Sequence, residues 1–342
     1  MTLPREDGFY LPAEWVIHSR TWMAWPVRES LWGDGIEDAR RSFAEVARAI
    51  SSFEPVTMIT NPETLAEVSL YCGSGVGCLS MAHDDSWVRD TGPIFLVDGK
   101  GDLAGTDWDF NGWGERHVPY EADAGIAEGV LSYIGARHYK APAVLEGGGI
   151  CSDGEGTLLA SETCLLDPKR NPEIDKPAME KLLCDYLGVE KVIWLAGALN
   201  GDAIGGHLDN LVCFAAPSRV LVHTASEKDT ENHEVTRGLV ERLKAATDAK
   251  GRALEVIELP APKPKKGPDG QLMPLSYVSF YLCNGGLVMP VFQDPADELA
   301  YDVMEECFPK RKIVQVNALD IFAGGGGIHA ITQQQPSGMP QK

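Results

Sequence analysis

Residues 39–60 read Ala-Arg-Arg-Ser-Phe-Ala-Glu-Val-Ala-Arg-Ala-Ile-Ser-Ser-Phe-Glu-Pro-Val-Thr-Met-Ile-Thr. Two periods meet in this stretch. Ala39, Phe43, Val46, Ala47 and Ile50 recur at helical spacing and lay an apolar stripe along one face. After Pro55 the run Val56-Thr57-Met58-Ile59-Thr60 is rich in β-formers, so a helix hands over to a strand. Working outward, the alternation continues. Ile94–Val97, the turn Asp98-Gly99-Lys100-Gly101 and Leu103–Phe110 form a hairpin. Further helices are expected near Asp123–Ile134, Ile174–Leu187, Thr230–Ala246 and Pro295–Cys307. Strands are expected at Val192–Leu195, Leu211–Ala215, Val220–His223, Leu254–Leu259, Tyr277–Leu282 and Ile313–Val316. The class is α/β. Five long helices, each between strand pairs, divide 342 residues into units of roughly 68, room for one ββαβ module each, although no sequence repeat is visible. The proline- and lysine-rich stretch within 260–274 reads as an exposed loop or flap and not as a domain boundary. Residues 1–342 are therefore expected to form a single domain.

Composition narrows the function. Fifty acidic residues against thirty basic give a formal charge of −20, which disfavours nucleic acid, since phosphate backbones need Lys and Arg clusters. It mildly favours a small cationic partner. No window approaches the ~18 uninterrupted apolar residues that span a bilayer, and the first residues lack a basic, then apolar, leader, so no membrane association and a cytoplasmic location are expected. Eight cysteines are scattered without Cys-x-x-Cys or zinc-ligand spacing. They read as buried, reduced thiols, and no metal site is signalled.

Four polar, glycine-bearing segments sit at the ends of apolar runs, where side chains can project into a shared cavity. Trp87-Val88-Arg89-Asp90-Thr91-Gly92-Pro93 is, taken alone, equally a local Arg–Asp pair before a turn. Leu145-Glu146-Gly147-Gly148-Gly149 ends an apolar strand on a carboxylate that a solvated surface acid would also explain. In Gly206-His207-Leu208-Asp209-Asn210, a strand would place His207 and Asp209 on one face by the two-residue period, unless His207 is only a satisfied core histidine. Gly324-Gly325-Gly326-Gly327-Ile328-His329-Ala330 lets backbone approach a ligand or another segment closely.

Together these segments resemble the agmatine deiminase branch of the guanidino-group-modifying, or pentein, superfamily, the Porphyromonas-type peptidyl-arginine deiminase family. The resemblance runs nearly the whole length. It includes Asp7-Gly8-Phe9 to Glu14-Trp15, His18 to Pro26, Trp87 to Pro93, and Asp109-Phe110-Asn111-Gly112-Trp113-Gly114. It continues through Glu146-Gly147-Gly148, Leu165-Leu166 to Arg170-Asn171-Pro172, Gly206 to Asn210, and Ile328 to Pro336. It implies a fivefold pseudosymmetric α/β propeller of ββαβ modules around a central site. It also implies hydrolysis of a small alkylguanidine, agmatine first, to a urea and ammonia, without metal or organic cofactor. In that chemistry two carboxylates grip the planar cation, a thiolate attacks its carbon to give a thiouronium, and a base protonates the departing ammonia and then activates water. Motif by motif, the resemblance assigns Asp90 and Asp209 to the grip, His207 to the base, Glu146 to its orientation and Trp87 and Trp113 to the walls, though both tryptophans are equally explained as core. Gly326 and Gly327 would border the substrate. Similar proteins are usually homodimers, so a homodimer or higher homo-oligomer is expected.

One position departs decisively. The family's tail reads Gly-Gly-Gly-Asn-Ile-His-Cys and that cysteine is the nucleophile; here the position is Ala330. With the rest of the site retained, this reads as a Cys-to-Ala change that binds substrate without turning it over. A natural guanidine-binding protein without catalysis is the alternative, and amidino transfer to an amine is a third reading. Ile204 and Gly205, Ser279 and Gly327 also depart from the family pattern, which leaves a guanidino compound other than agmatine open as the substrate.

Overall fold

In the computed structural model, which describes residues 2–338 apart from the side chain of Thr230, the strands fall into five small sheets. The first joins β1 (His18–Ala24), β2 (Val56–Thr60) and β3 (Val76–Ser80), all parallel. Parallel neighbours need a crossover, and the stripe read from residues 39–50 supplies it. The helix Ile36–Ser51 buries Ala39, Phe43, Val46, Ala47 and Ile50. Every residue of β2 is buried, as expected of a strand covered on both faces.

The other four sheets share one plan, an antiparallel pair, a helix, then a third strand parallel to the second. They are β4 (Ile94–Val97), β5 (Leu103–Asp109) and β6 (Arg137–Val144); β7 (Ile150–Ser152), β8 (Thr157–Ser161) and β9 (Lys191–Leu195); β10 (Val212–Ala216), β11 (Arg219–Thr224) and β12 (Glu255–Pro260); and β13 (Tyr281–Cys283), β14 (Gly286–Val291) and β15 (Lys312–Asn317). Their crossover helices are Ile126–Ile134, Lys176–Leu187, Thr230–Lys244 and Ala296–Cys307. Local chemistry sets several ends. The side chains of Asp175 and Asp229 accept backbone N–H groups of the first turns they precede, and Gly135 and Gly188 end their helices in the left-handed conformation.

The last strand, β16 (Gln333–Pro336), pairs antiparallel with β1, so the C-terminal segment completes the first unit's ββαβ pattern. Glu54 ties the first unit to the last. It accepts from Thr21 at 2.6 Å and from the backbone N–H of Asn284 at 2.6 Å, and pairs with His18 Nδ1 at 2.9 Å. The His18–Pro26 motif is thus occupied with closing the fold.

One strand expectation is too long. Residues 277–280 precede β13 as a turn, because the Ser276 hydroxyl accepts the Val278 N–H and the Ser279 carbonyl accepts the N–H of His329 instead of a strand partner. The 260–274 stretch folds back on itself through a bridge between Lys266 and Leu272, with Pro262 and Pro274 buried and the stretch between them largely exposed. All eight cysteines are free thiols. Among the described residues no helix is long and apolar enough to cross a membrane.

Candidate active site

Each of the four polar segments lies immediately before the first strand of a unit: Trp87–Thr91 before β4, Glu146–Gly149 before β7, His207–Asn210 before β10 and Ile328–Thr332 before β16. Repetition of one topology brings equivalent turns together, and a cavity of about 660 Å³ opens where they meet. Trp87, Asp90, Trp113, His207, Asp209 and Ala330 line it. Glu146 is fully buried and stands behind His207 rather than on the wall.

Gly148 shows how closely the polar groups converge. A Cβ added there would lie 2.6 Å from His207 Nδ1, 3.0 Å from Asp90 Oδ1 and 3.1 Å from Asp209 Oδ2. Three groups from two other segments surround one point beside Gly148, and any side chain at 148 would fill it. The Gly148 N–H donates to Asp90 Oδ1 at 3.0 Å, and the Trp113 indole donates to Asp90 Oδ2 at 3.0 Å. Trp113 therefore does more than pack: it orients the carboxylate. Trp87 stacks on Trp32 with ring centroids 5.8 Å apart, so it belongs to the core and the cavity wall together.

His207 and Asp209 do share the cavity, but not for the reason read from sequence. They lie in a 3-10 turn at residues 208–210 entered from an extended His207, not in a strand. Gly206, at φ +86°, makes the entry, with the Gly197 carbonyl packed where a Cβ would stand. His207 Nε2 pairs with Glu146 Oε2 at 2.8 Å, while Nδ1 faces Asp90 Oδ2 at 3.7 Å. Glu146 is held on both oxygens: Arg170 Nε donates to Oε1 at 2.7 Å, and the Cys164 thiol donates to Oε2 at 2.9 Å.

Charge follows from these contacts. Burial alone would raise the Glu146 carboxyl, but the His207 hydrogen bond and charge, with Arg170, outweigh it and bring it down to about 2. Burial raises Asp90; the charge of His207 opposes this, and the nearby Glu146 and Asp209 add to it. Burial disfavours a charged His207, yet Asp90, Cys164 and Glu146 together hold the ring well above its usual range.

The local Arg89–Asp90 pair that the sequence allowed does not form. Arg89 points away from the cavity, with Nη1 3.5 Å from Glu14 and Nε donating to the His329 carbonyl at 3.3 Å. Glu14, Cys164, Arg170 and His329 were not singled out from sequence. Glu14 and Arg170 lie inside the family motifs, but what they touch is remote in the chain.

Ala330 is 6% exposed, and the Cα of Gly326 is turned toward its methyl group and Trp87. Gly326 lines the cavity; Gly327 does not, because its α-carbon faces Ser279 and Phe322. None of the eight cysteines lines the cavity. Cys164 comes nearest to the charged groups, but burial and then Glu146 push its thiol up to about 12, so it stays protonated and is no substitute nucleophile. Glu146, Cys164 and His207 are metal-binding residue types within reach of one ion, yet each already has a protein partner, and the Arg170 cation occupies the second Glu146 oxygen. At the mouth, Asp202 accepts the N–H groups of Ile204, Gly205 and Gly206, and the folded-back loop contributes Lys266, Gln271 and Met273.

Against known proteins, residues 10–336 match the family described as Porphyromonas-type peptidyl-arginine deiminase. The chain is 40% identical to the agmatine deiminase of Stutzerimonas stutzeri, covering 98% of this chain and 97% of that one. The agmatine deiminase structure of Enterococcus faecalis superposes with a TM-score of 0.95 at 35% identity, covering 98% of each chain. A cysteine-to-serine variant of the C. jejuni agmatine deiminase, solved with substrate bound, superposes at 0.88 and 26% identity over 97% of each.

Proposed function

The chain belongs to the Porphyromonas-type peptidyl-arginine deiminase family, and from that premise we propose that its cavity binds the guanidinium head of a small alkylguanidine, agmatine first. We propose further that a cysteine at position 330 would make it an iminohydrolase yielding N-carbamoylputrescine and ammonia. The observation that carries this reading is the convergence of Asp90, Asp209 and His207 on the point that Gly148 leaves free. A planar cation with paired N–H donors complements two such carboxylates. A cluster of buried acids is costly when empty and becomes favourable once a cation enters.

The proposed chemistry needs no further group. The thiolate introduced by Ala330→Cys would attack the guanidinium carbon, forming a C–S bond. His207 would pass its proton to the departing nitrogen, which leaves as ammonia. The ring would then take a proton from water as the oxygen attacks the thiouronium carbon; the C–S bond breaks and the urea product is released. Glu146, anchored by Arg170 and Cys164, keeps Nε2 engaged and leaves Nδ1 toward the substrate. The alanine methyl cannot begin this sequence, so the chain with Ala330 binds and does not turn over.

We take the chain as one catalytic domain acting as a homo-oligomer in the cytoplasm, with no cofactor and no nucleic acid or membrane partner. Two observations favour other readings of parts of this. A cavity of about 660 Å³ whose lining includes Ile204, one of the departures from the family pattern, suits a guanidine with a bulkier tail. Ala330 itself would also suit a guanidine-binding protein without catalysis.

Thermal melting of the Ala330 chain with a panel of guanidines tests the binding. At 100 times its dissociation constant a native-state ligand adds about 2.7 kcal/mol, and no stabilisation by any guanidine would remove the proposal. Ala330→Cys should release ammonia from the guanidine that binds best.

A further inference from the structure

Against Asp209, outside the lining of the cavity, a second imidazole is gripped as firmly as His207. His329 Nδ1 lies 3.2 Å from Asp209 Oδ2, and Nε2 lies 2.9 and 3.1 Å from the two oxygens of Glu14. A neutral imidazole carries one N–H and one lone pair, so it would turn a lone pair on one of two carboxylates. A doubly protonated ring donates to both.

We propose that His329 is a positioning residue for the guanidinium site: held as an imidazolium between Glu14 and Asp209, it fixes the Asp209 carboxylate through its Oδ2, and Glu14 is what keeps it charged.

The surroundings agree with a fixed support. The His329 N–H donates to the Ser279 carbonyl, Arg89 Nε donates to the His329 carbonyl, and the Arg89 N–H donates to the Ala330 carbonyl. The turn that carries residue 330 is thereby tied to the turn that carries Asp90. The charged groups facing the ring are Asp209 from the turn before β10, Glu14 from the N-terminal segment and Arg89 from the turn before β4. His18, Cys151 and Cys213 stand behind Glu14; burial raises both of these thiols, so neither adds a charge at neutral pH. Burial and then Arg89 oppose a charge on His329, but Glu14 and Asp209 overcome them. Glu14 would itself be raised by burial, and His329 with Arg89 brings it down to about 2, so it stays an anion across the neutral range. With one Asp209 oxygen anchored, the plane of the carboxylate is set before any cation arrives, which saves ordering cost on binding.

The positioning half of this proposal rests on the guanidinium reading of the cavity; the charge of His329 does not. Side-chain nitrogen NMR of the ligand-free Ala330 chain should find His329 doubly protonated at neutral pH. In Glu14→Gln, which keeps the shape and removes the charge, the ring should lose that proton at a lower pH than in the parent. Agmatine calorimetry then reads the second half. His329→Gln should bind tenfold or more weakly at every pH. Glu14→Gln should gain one linked proton relative to the parent and bind more weakly as its ring loses that proton, because a neutral ring no longer has to present a proton to Asp209. If His329→Gln does not fold, that proton linkage carries the test. A neutral His329 in the parent, or an unchanged ring charge in Glu14→Gln, overturns the charge assignment. Parent-like agmatine binding by folded His329→Gln, or a Glu14→Gln pH profile superimposable on the parent's, overturns the positioning role. A parent that binds no guanidine overturns that role together with the proposed function, while the nitrogen shifts still decide the charge.

Discussion

His207 and His329 are two versions of one arrangement. Both rings are buried, both stand between two carboxylates, and in both the net effect of the neighbours is to favour the charged form. The second carboxylate separates them. His207 has one nitrogen bonded to Glu146 and the other 3.7 Å from Asp90, beyond hydrogen-bond reach and facing the cavity. His329 has both nitrogens engaged, one on each carboxylate, and does not line the cavity. A ring with a free nitrogen beside a substrate can move a proton; a ring bonded on both sides can only hold its neighbours in place. Residue type and burial are the same, and the unpaired edge makes the difference.

The largest test of that contrast begins by placing a sulfur at position 330. Ala330→Cys should release ammonia from a bound guanidine where the Ala330 chain releases none. In that background His207→Gln should lower kcat by about 10²- to 10⁴-fold. His329→Gln should act mainly by raising KM. Equal losses of kcat in the two variants would abolish the distinction between acid–base ring and support.

A smaller effect is expected on the carboxylate that His207 faces across the gap. Asp90 is raised by burial and by its acidic neighbours against the pull of His207, so the neutral acid competes with the anion that a guanidinium requires. Affinity should therefore rise with pH as Asp90 ionises. Asp90→Asn should lose roughly 2–5 kcal/mol of binding together with this part of the pH dependence. Calorimetry of the Ala330 chain at several pH values checks both, and an Asn variant that keeps the parent's slope would assign the titration elsewhere.

How much of this could be read in the chain depended on the range of each signal. The five long helices and the hairpin at 94–109 were legible because apolar periodicity is local. The helix Leu65–Cys72 lacks a strong stripe, burying only Val68 and Cys72, and gave no such signal. Tyr277–Phe280 looked like strand because aromatic and β-branched residues favour strands, but hydrogen bonds to remote partners hold it as a turn. Asp90, Glu146, His207 and Asp209 were found through motifs, and the structure brings them together. The same-face reading of His207 and Asp209 reached the right pair through the wrong element. Glu14 and His329 are 315 residues apart, and no local pattern in an acid near one end and a histidine near the other announces a bond between them. The local Arg89–Asp90 pair that the sequence allowed fails for the same reason, since the nearest acid in sequence is not the nearest in space.

The smallest expected effect concerns stability, and it compares the two carboxylates that back the two rings. Glu14 and Glu146 are both lowered to about 2, against an unfolded value near 4.3. A depressed carboxyl contributes stability that is complete above the unfolded value and is lost as pH falls toward the folded one. Glu14→Gln should therefore cost about 1–3 kcal/mol at pH 7, the loss of a charge-assisted hydrogen bond to a buried ring. That deficit should shrink as pH drops from about 4.5 to about 2, where the parent's own carboxyl takes up its proton. Glu146→Gln should cost more over the same window, because Glu146 is fully buried and anchors Arg170, Cys164 and His207 at once, whereas the Glu14 side chain keeps 20% of its surface. Urea unfolding at pH 7, 4 and 3 reads the trend. A Glu14→Gln deficit that stays constant with pH would mean that the carboxylate contributes shape alone, and His329 would then have no anion to hold its charge.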